Sequence, residues 1–296
     1  MVWLSVLLAI LFVVVAPVLG CLITGADRIL TARMQRRRGP SILQPYYDVR
    51  KLLEKDARAN DVVQVILLAL SLVMLVVAGV CLYAGANFLL CILLETLSSL
   101  MFILAASVDP SPFVQVGVQR EILQVMCCEP MLLLFAVGVY LYTGSFSVSS
   151  LFSTNLPMVV WLPLIFIGLV FVLTIKLRKS PFDIASSHHA HQEIVAGAST
   201  EMSGLSLALI EVTHWYELVI LMSWVGMFFV TSNPLSVLLA ILAAAVVFLL
   251  EIWIDNSFAR VKWQVMFKSS WMVALVCGMV NFAMFFFIDS NGLVFF

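Results

Sequence analysis

Charged residues are scarce in this chain. Only 11% of its 296 residues are Asp, Glu, Lys or Arg, while 63% are hydrophobic. A water-soluble surface needs more charge than this to stay apart from its neighbours, so the composition excludes an ordinary soluble domain. The formal net charge of −1 also excludes the strongly basic surface that nucleic-acid binding requires. The composition is typical of a protein that crosses a membrane several times.

The sequence also lacks motifs that hold metals, clusters or nucleotides. Its six cysteines are at positions 21, 81, 91, 127, 128 and 277, and no two of them form a C-x-x-C pair. Most lie inside apolar runs, which predicts small buried side chains and argues against iron–sulfur ligands, zinc ligands or a disulfide framework. No glycine-rich phosphate loop and no G-x-S-x-G motif is present. We therefore expect no cofactor, no metal and no catalytic residue in this chain.

Long apolar runs are present instead. A transmembrane helix needs about 20 such residues, and eight runs reach or approach that length. They predict an all-α polytopic membrane protein with a single domain over 1–296. The first run is predicted to be a retained helix, because no basic segment of a signal peptide precedes it. The predicted spans are about 2–25, 62–84, 86–107, 121–143, 157–177, 204–230, 235–254 and 269–289.

The basic residues give these spans an orientation. All 16 Lys and Arg residues lie in or beside four loops, 26–61, 108–120, 178–203 and 255–268. The opposite loops, 84–86, 144–156 and 231–234, contain none. Lysine and arginine are retained on the cytoplasmic side of a membrane. The four basic loops are therefore predicted to be cytoplasmic, and both termini are predicted to lie on the non-cytoplasmic side.

The first cytoplasmic loop contains a short amphipathic segment. In YYDVRKLLEKD (46–56), Tyr46, Val49 and Leu53 share one helical stripe. This pattern is typical of a helix that lies along the lipid headgroups, and it leaves open a second role as a docking surface. The candidate docking residues of this loop are Arg36, Arg37, Arg38, Asp48 and Lys51.

Ionisable residues also occur within the predicted spans, where each of them is costly. A single buried acid can be no more than a hydrogen-bonded link between helices. A set spread over four spans favours a path for protons or ions, because buried carboxylates and histidines respond strongly to their surroundings. The candidate residues are Glu95, Glu121, Glu129, Glu211, His214 and Glu217, with Glu251 as a further acid near the end of the seventh span.

Four stretches, taken in order, resemble one family of membrane proteins. RMQRRRGPSILQPYYDVRKLLEKD (33–56) is similar to the first cytoplasmic loop of the membrane subunit that anchors the peripheral arm of respiratory complex I. VGVQREILQVMCCEPMLLL (116–134) resembles that family's span with an arginine and a downstream glutamate. PFDIASSHHAHQEIVAGASTEMSG (181–204) resembles its P-F-D loop, and DNSFARVKWQVMFKSSW (255–271) its last cytoplasmic loop. The resemblance covers nearly the whole chain.

Departures from the quinone-reducing branch of this family point to its other branch, the energy-converting (group 4) NiFe hydrogenases. The quinone branch has E-T-N-R before P-F-D, whereas this chain has KLRK, with Lys176 in place of the acid. The two acids that follow P-F-D in that branch are replaced here by IASSHHAHQ. The REILQVMCCEPMLLL stretch is similar to the hydrogenase type, and S-H-H-A-H-Q-E is similar to the Ech-type subunit.

The resemblance implies a membrane anchor and coupling subunit in the cytoplasmic membrane of a bacterium or archaeon. Its partners would be a NiFe large subunit, an iron–sulfur small subunit, a ferredoxin-like subunit and an antiporter-like membrane subunit. The NiFe centre and the 4Fe–4S clusters would lie in those partners. Electrons would pass between ferredoxin and protons, forming or consuming H2, while H⁺ or Na⁺ moves. The motif match assigns to the path Asp183, Glu193, Glu201, Arg120 and Glu129.

Three closely spaced histidines, His188, His189 and His191, allow two interpretations. His188 and His191 could bind a metal together with Glu193. A docking loop whose imidazoles bond a partner or carry protons is favoured.

Two alternative functions stay open for the whole chain. One is the quinone-site subunit of a respiratory NADH dehydrogenase. The other, a stand-alone ion transporter, is disfavoured because the chain lacks an inverted repeat.

Overall fold

The structure, a computed structural model, describes residues 2–55, 61–179, 181–182 and 194–290. This part of the chain is almost entirely helical and contains no β-sheet, which confirms the all-α prediction. Short 3-10 helices at Val148–Ser153 and Gly197–Ser199 lie in two connections. The α-helices are α1 (Val2–Met34), α2 (Gln44–Leu53), α3 (Val62–Tyr83), α4 (Phe88–Ser107), α5 (Pro112–Thr143), α6 (Met158–Trp161), α7 (Pro163–Lys176), α8 (Leu205–Met227), α9 (Leu235–Ser257) and α10 (Trp263–Ser290).

Seven helices in the described part of the chain are long and apolar enough to cross a membrane. They are α1, α3, α4, α5, α8, α9 and α10. The span predicted at 157–177 is not one continuous helix, because it is divided into the single turn α6 and the 14-residue α7. The chain is therefore a multi-pass membrane protein in which one of the eight predicted spans is broken.

A proline causes the break between α6 and α7. Pro163 has no N–H and cannot continue the hydrogen-bond ladder of α6. Asn281 of α10 supplies the missing partners, since its Oδ1 accepts from the N–H groups of Leu164 and Ile165 at 2.9 and 3.3 Å. Its Nδ2 donates to the carbonyl of Trp161 at 3.0 Å. The buried Asn281 side chain thus fixes the break against α10.

The connections define two ends of the helix bundle. At one end, the N–H of Val159, at the start of α6, donates to the carbonyl of Phe228, just after α8. The loops at this end are those without lysine or arginine. At the other end, Lys179, just after α7, contacts Asp27 of α1 at 2.5 Å. The segment from α6 to α7 therefore runs from one end to the other, and the described helices pass between the ends eight times.

Several helices extend beyond the predicted spans. α5 begins at Pro112 and not near 121, because proline is well suited to the first helical turn, where its missing N–H has no partner to lose. Most of the predicted loop 108–120 is consequently helical. α1 continues to Met34 and α9 to Ser257, past the predicted ends at 25 and 254. Hydropathy marks the lipid-facing part of a helix, whereas polar residues can continue the helix beyond it.

The short helix predicted in the first basic loop is present as α2. Val49 is buried against α1 and α8, next to Trp215. Tyr46 and Leu53, predicted on the same stripe, remain exposed. The predicted stripe is therefore divided, because only Val49 packs against the rest of the protein.

The central helix is α5, whose residues Met131, Leu132 and Phe135 are fully buried. Near its start, Gly117 permits close contact with the 3-10 turn at 197–199. A Cβ at this position would lie 2.5 Å from the backbone nitrogen of Ala198, which is too close for any side chain. This contact holds the described end of the third basic loop against α5.

Candidate functional site

A buried ion pair joins α7 to α4. Lys176, the last residue of α7, places its Nζ 2.6 Å from Oε1 of Glu95, and the two side chains are only 5% and 1% exposed. Oε2 of Glu95 has no hydrogen-bond partner among the described residues. At this depth each ion loses its hydration at a cost of several kcal/mol, so each charge depends on the other.

The ion pair faces a small cavity between α3, α4, α5 and α8, which we call the inner cavity. Its volume of about 40 Å³ leaves room for roughly three water molecules. Ser71 of α3 and Ser98 of α4 face it and bond each other, with their Oγ atoms 3.0 Å apart. Its further polar lining residues are Glu95, Ser99, Glu121, Gln124, Lys176, Arg178, Thr213, His214 and Glu217.

Two residues connect α5 with the end of α7. Nη2 of Arg178 lies 3.8 Å from Oε1 of Glu121, and its guanidinium lies over the ring of Phe102. Gln124 donates its Nε2–H to the carbonyl of Ile175 at 3.2 Å. The backbone of Arg178 is left-handed, with φ 56°, so the chain turns sharply immediately after α7.

A larger cavity, the outer cavity, opens at the end of the bundle that carries the basic residues. Its volume is about 610 Å³, and residues of α1, α8 and α9 line it together with the segment that follows α7. Four residues line both cavities: Lys176, Arg178, His214 and Glu217. We call these four residues the partition, because they face both cavities.

The structure brings several of the predicted path residues to this partition or beside it. They are Glu95, Glu121, Glu129, His214 and Glu217. Glu129 lies within electrostatic range of Lys176 and Glu95, and its Oε1 is buried without a hydrogen-bond partner among the described residues. Acids from three helices thus surround one lysine.

The other predicted path residues lie elsewhere. Glu211 lines the outer cavity, and Arg120 places its guanidinium 4.7 Å from the ring centre of Trp263, so it faces α10. Glu201 is exposed in the turn before α8. The remaining predicted residues lie outside the described part of the chain: Asp183, Glu193, His188, His189 and His191.

Asp48, predicted as a docking residue, is engaged within the chain. Its carboxylate lies 2.6 Å from Arg28 of α1 and accepts a hydrogen bond from Gln44 at 2.9 Å. Burial alone would raise the pKa of Asp48, but the bonds from Arg28 and Gln44, with the charges of Arg28 and Lys51, hold this pKa below its usual value. Asp48 therefore ties α2 to α1. The other candidate docking residues are exposed: Arg36, Arg37, Arg38 and Lys51.

The sequence did not predict that Lys176 and Arg178, the two basic residues of the partition, belong to the site. Lys176 and Arg178 stand at the end of an apolar run, where they match the positive-inside pattern, so nothing marks them as interior residues. One signal exists, because Lys176 replaces an acid of the quinone branch and a reversed charge needs a different partner.

The described His, Cys, Asp and Glu residues form no group that could hold a metal ion.

Comparison with known proteins decides the family. The family model described as NADH dehydrogenase matches residues 6–286, which is nearly the whole chain. The chain belongs to this family. Hydrogenase-4 component C of Escherichia coli (strain K12) is 30% identical over 297 residues, covering 90% of this chain and 92% of that protein. Formate hydrogenlyase subunit 4 of the same organism is 27% identical and covers 89% of this chain and 92% of that protein.

A solved structure has the same fold as this chain. A chain of the membrane-bound sulfane sulfur reductase, an archaeal respiratory membrane complex, superposes with a TM-score of 0.80 over 94% of this chain and 99% of its own length. At 23% identity this likeness shows the fold alone. The resemblance to the complex I-type membrane subunits is confirmed, and relatives with hydrogenase names are among the similar proteins, as the motifs indicate.

Proposed function

We propose that the chain is the membrane anchor and coupling subunit of an energy-converting NiFe hydrogenase of the Ech type. The NiFe large subunit, the iron–sulfur small subunit and a ferredoxin-like subunit dock at its basic end, and an antiporter-like subunit adjoins it in the membrane. The NiFe centre and the 4Fe–4S clusters belong to those partners. Similarity to a hydrogenase component and a formate hydrogenlyase subunit supports this branch of the family.

The Lys176–Glu95 pair, placed between the two cavities, is the observation that carries the coupling role. A redox change in the docked module alters the charge beside the outer cavity. Glu217 interacts with Lys176, as Glu95 does. When the carboxyl group of Glu217 loses its proton, its negative charge competes with Glu95 for the ammonium group of Lys176. Glu95 then loses part of its stabilisation and takes up a proton through the inner cavity. A charge change on one side of the partition thus becomes proton uptake on the other.

Inverted vesicles that contain the whole complex test this role. Glu129→Gln keeps the size of a side chain near Lys176 but removes its charge. We expect the complex to assemble and to form H2 from reduced ferredoxin, while ion uptake per H2 falls at least about tenfold, because a positioned acid contributes at least that much to proton transfer. Glu54→Gln, at an exposed carboxylate just after α2, is the matched control. Unchanged ion uptake with Glu129→Gln would contradict the coupling role, and exchanging Na⁺ for K⁺ in the medium identifies the ion.

A quinone-site subunit of a respiratory NADH dehydrogenase is the second candidate, and the outer cavity favours it. A volume of about 610 Å³ is within the usual range for small-molecule sites, about 300–1,000 Å³. Lys176, in place of an acid, disfavours it. Inhibition of the complex by quinone-site compounds would support this candidate. Copurification with iron–sulfur proteins distinguishes both candidates from a stand-alone transporter. Nickel in the purified complex distinguishes the hydrogenase from the NADH dehydrogenase.

A further inference from the structure

A buried acid on α9 lies apart from the partition. Glu251 is 0% exposed, and neither of its carboxylate oxygens has a hydrogen-bond partner among the described residues. It lines neither the inner nor the outer cavity. An ionised carboxylate without hydrogen bonds is far more costly to bury than a neutral carboxyl group. The coupling path described above makes no use of this side chain, so its burial needs its own explanation.

Charged groups connect Glu251 with the outer cavity. Asp255 follows it by one helical turn on the same side of α9, and Oδ2 of Asp255 lies 3.9 Å from Nζ of Lys179. Lys179 also contacts Asp27 of α1 at 2.5 Å. Asp27, Lys179 and Asp255 all line the outer cavity. Glu251 itself interacts electrostatically with both Lys179 and Asp255.

The surroundings of Glu251 suit a proton better than a metal ion. On α9, Phe248 and Ile252 belong to an apolar cluster that includes Met222 of α8 and Leu177 after α7. These side chains offer no oxygen ligands, and the described acids and histidines form no group that could hold a metal ion. A cation such as Na⁺ or Ca²⁺ prefers several oxygens, whereas a proton needs only one.

The charged groups near Glu251 come from α1, from the segment after α7 and from α9 itself. α1 supplies Asp27, the segment after α7 supplies Lys179, and α9 itself supplies Asp255. From α8 the contact is apolar, through Met222. Among the described residues, Glu251 is the one of these three carboxyl groups whose oxygens are both buried without a hydrogen bond. A carboxyl group in such a position favours its neutral, protonated form.

We propose that Glu251 is a proton-holding site, neutral at rest, which exchanges its proton with the outer cavity through Asp255. When a side-chain rotation or a bridging water brings the two carboxyl groups into hydrogen-bond contact, the proton leaves an oxygen of Glu251 and binds a carboxylate oxygen of Asp255. It passes from there to water in the outer cavity. Lys179 stabilises whichever carboxylate is charged. This site does not depend on the coupling path through Lys176, so either proposal can fail without the other.

Infrared difference spectroscopy on the whole purified complex, with 13C-labelled glutamate carboxyl groups, tests this proposal. We expect a carboxyl C=O band from a protonated glutamate at neutral pH that shifts in 2H2O. Glu251→Gln should remove one such band, and Glu54→Gln should leave it unchanged. The band should be insensitive to replacement of K⁺ by Na⁺.

A second variant tests the route and does not require Glu251 to be changed. In Asp255→Asn the band of Glu251 should persist, while its exchange in 2H2O slows at least about tenfold. Unchanged exchange in this variant would overturn the route through Asp255. A full set of glutamate bands in Glu251→Gln would overturn the site itself. Loss of the band on addition of Na⁺ to the unsubstituted complex would also overturn it, because the ligand would then be a metal cation.

Discussion

Lys176 and Glu95 are stable in the protein interior only as a pair. Compared with two apolar side chains, a buried ion pair contributes little net stability, because desolvation offsets the attraction between the charges. Removing one partner has a different effect, since it leaves a buried charge without compensation. The pair is therefore easier to replace as a whole than to break, and this property can be measured.

Lys176→Gln and Glu95→Gln should each destabilise the protein by about 3–5 kcal/mol. The double variant should be less destabilised than the sum of the two single variants, because it leaves no charge unpaired. Thermal unfolding of the purified complex measures the difference. Arg50 and Glu54, an exposed pair at the end of α2, provide the matched control, where a coupling of only about 0.3–0.5 kcal/mol is expected. Additive effects at Lys176 and Glu95 would show that the pair is not coupled.

At the level of residues, the sequence identifies acids more readily than their partners. Glu95 stands out because an acid in an apolar run is unusual. Lys176 does not, because its neighbours make it resemble the basic end of a span. Ser71 and Ser98 give no signal at all, since serine is common in membrane helices and only packing brings the two together. Partnership depends on how the helices pack, and a single sequence does not contain that information.

Among the helices, α7 departs most from the predicted pattern, and its short length bears on the site. Its 14 residues extend over about 21 Å, less than the roughly 30 Å of an apolar membrane core. The non-helical backbone at 177–179 then lies within the apolar core of the membrane. Such backbone is tolerated where it borders a water-filled cavity. Arg178 and Lys179 do line the outer cavity. Hydropathy predicted this run as a span but could not show that Pro163 divides it.

Replacing Asn281 tests what holds the break in place. Asn281→Leu leaves the N–H groups of Leu164 and Ile165 and the carbonyl of Trp161 without their partner. Each unsatisfied group costs about 1–3 kcal/mol, so the complex should unfold at a lower temperature. Hydrogen exchange at residues 164 and 165, followed by mass spectrometry, should become faster. Asn233→Leu, in an exposed loop, should change stability by less than about 0.5 kcal/mol. Unchanged exchange at 164–165 would show that Asn281 does not cap α7.

For the molecule as a whole, the distribution of charge and the contacts at the two ends agree. The loops without lysine or arginine are joined to one another at one end, and the basic segments meet around Asp27, Lys179 and Asp255 at the other. The number of passes could be predicted from the apolar runs, and the grouping of the loops from the basic residues, because the charge asymmetry acts on whole loops. The interior arrangement of the acids could not be predicted in the same way.

The side of the membrane that each end faces is still a prediction, and single cysteines test it. Ser41→Cys lies in an exposed part of the first basic loop, and Asn155→Cys lies in an exposed loop at the opposite end. With a membrane-impermeant maleimide, we expect Ser41→Cys to react only in inverted vesicles, and Asn155→Cys only in right-side-out vesicles. The unsubstituted protein, whose six cysteines are free but not exposed, provides the background. Labelling of both variants from the same side would contradict the three passes between them, α3, α4 and α5. The reverse pattern would place the basic loops, and any redox module docked there, outside the cell.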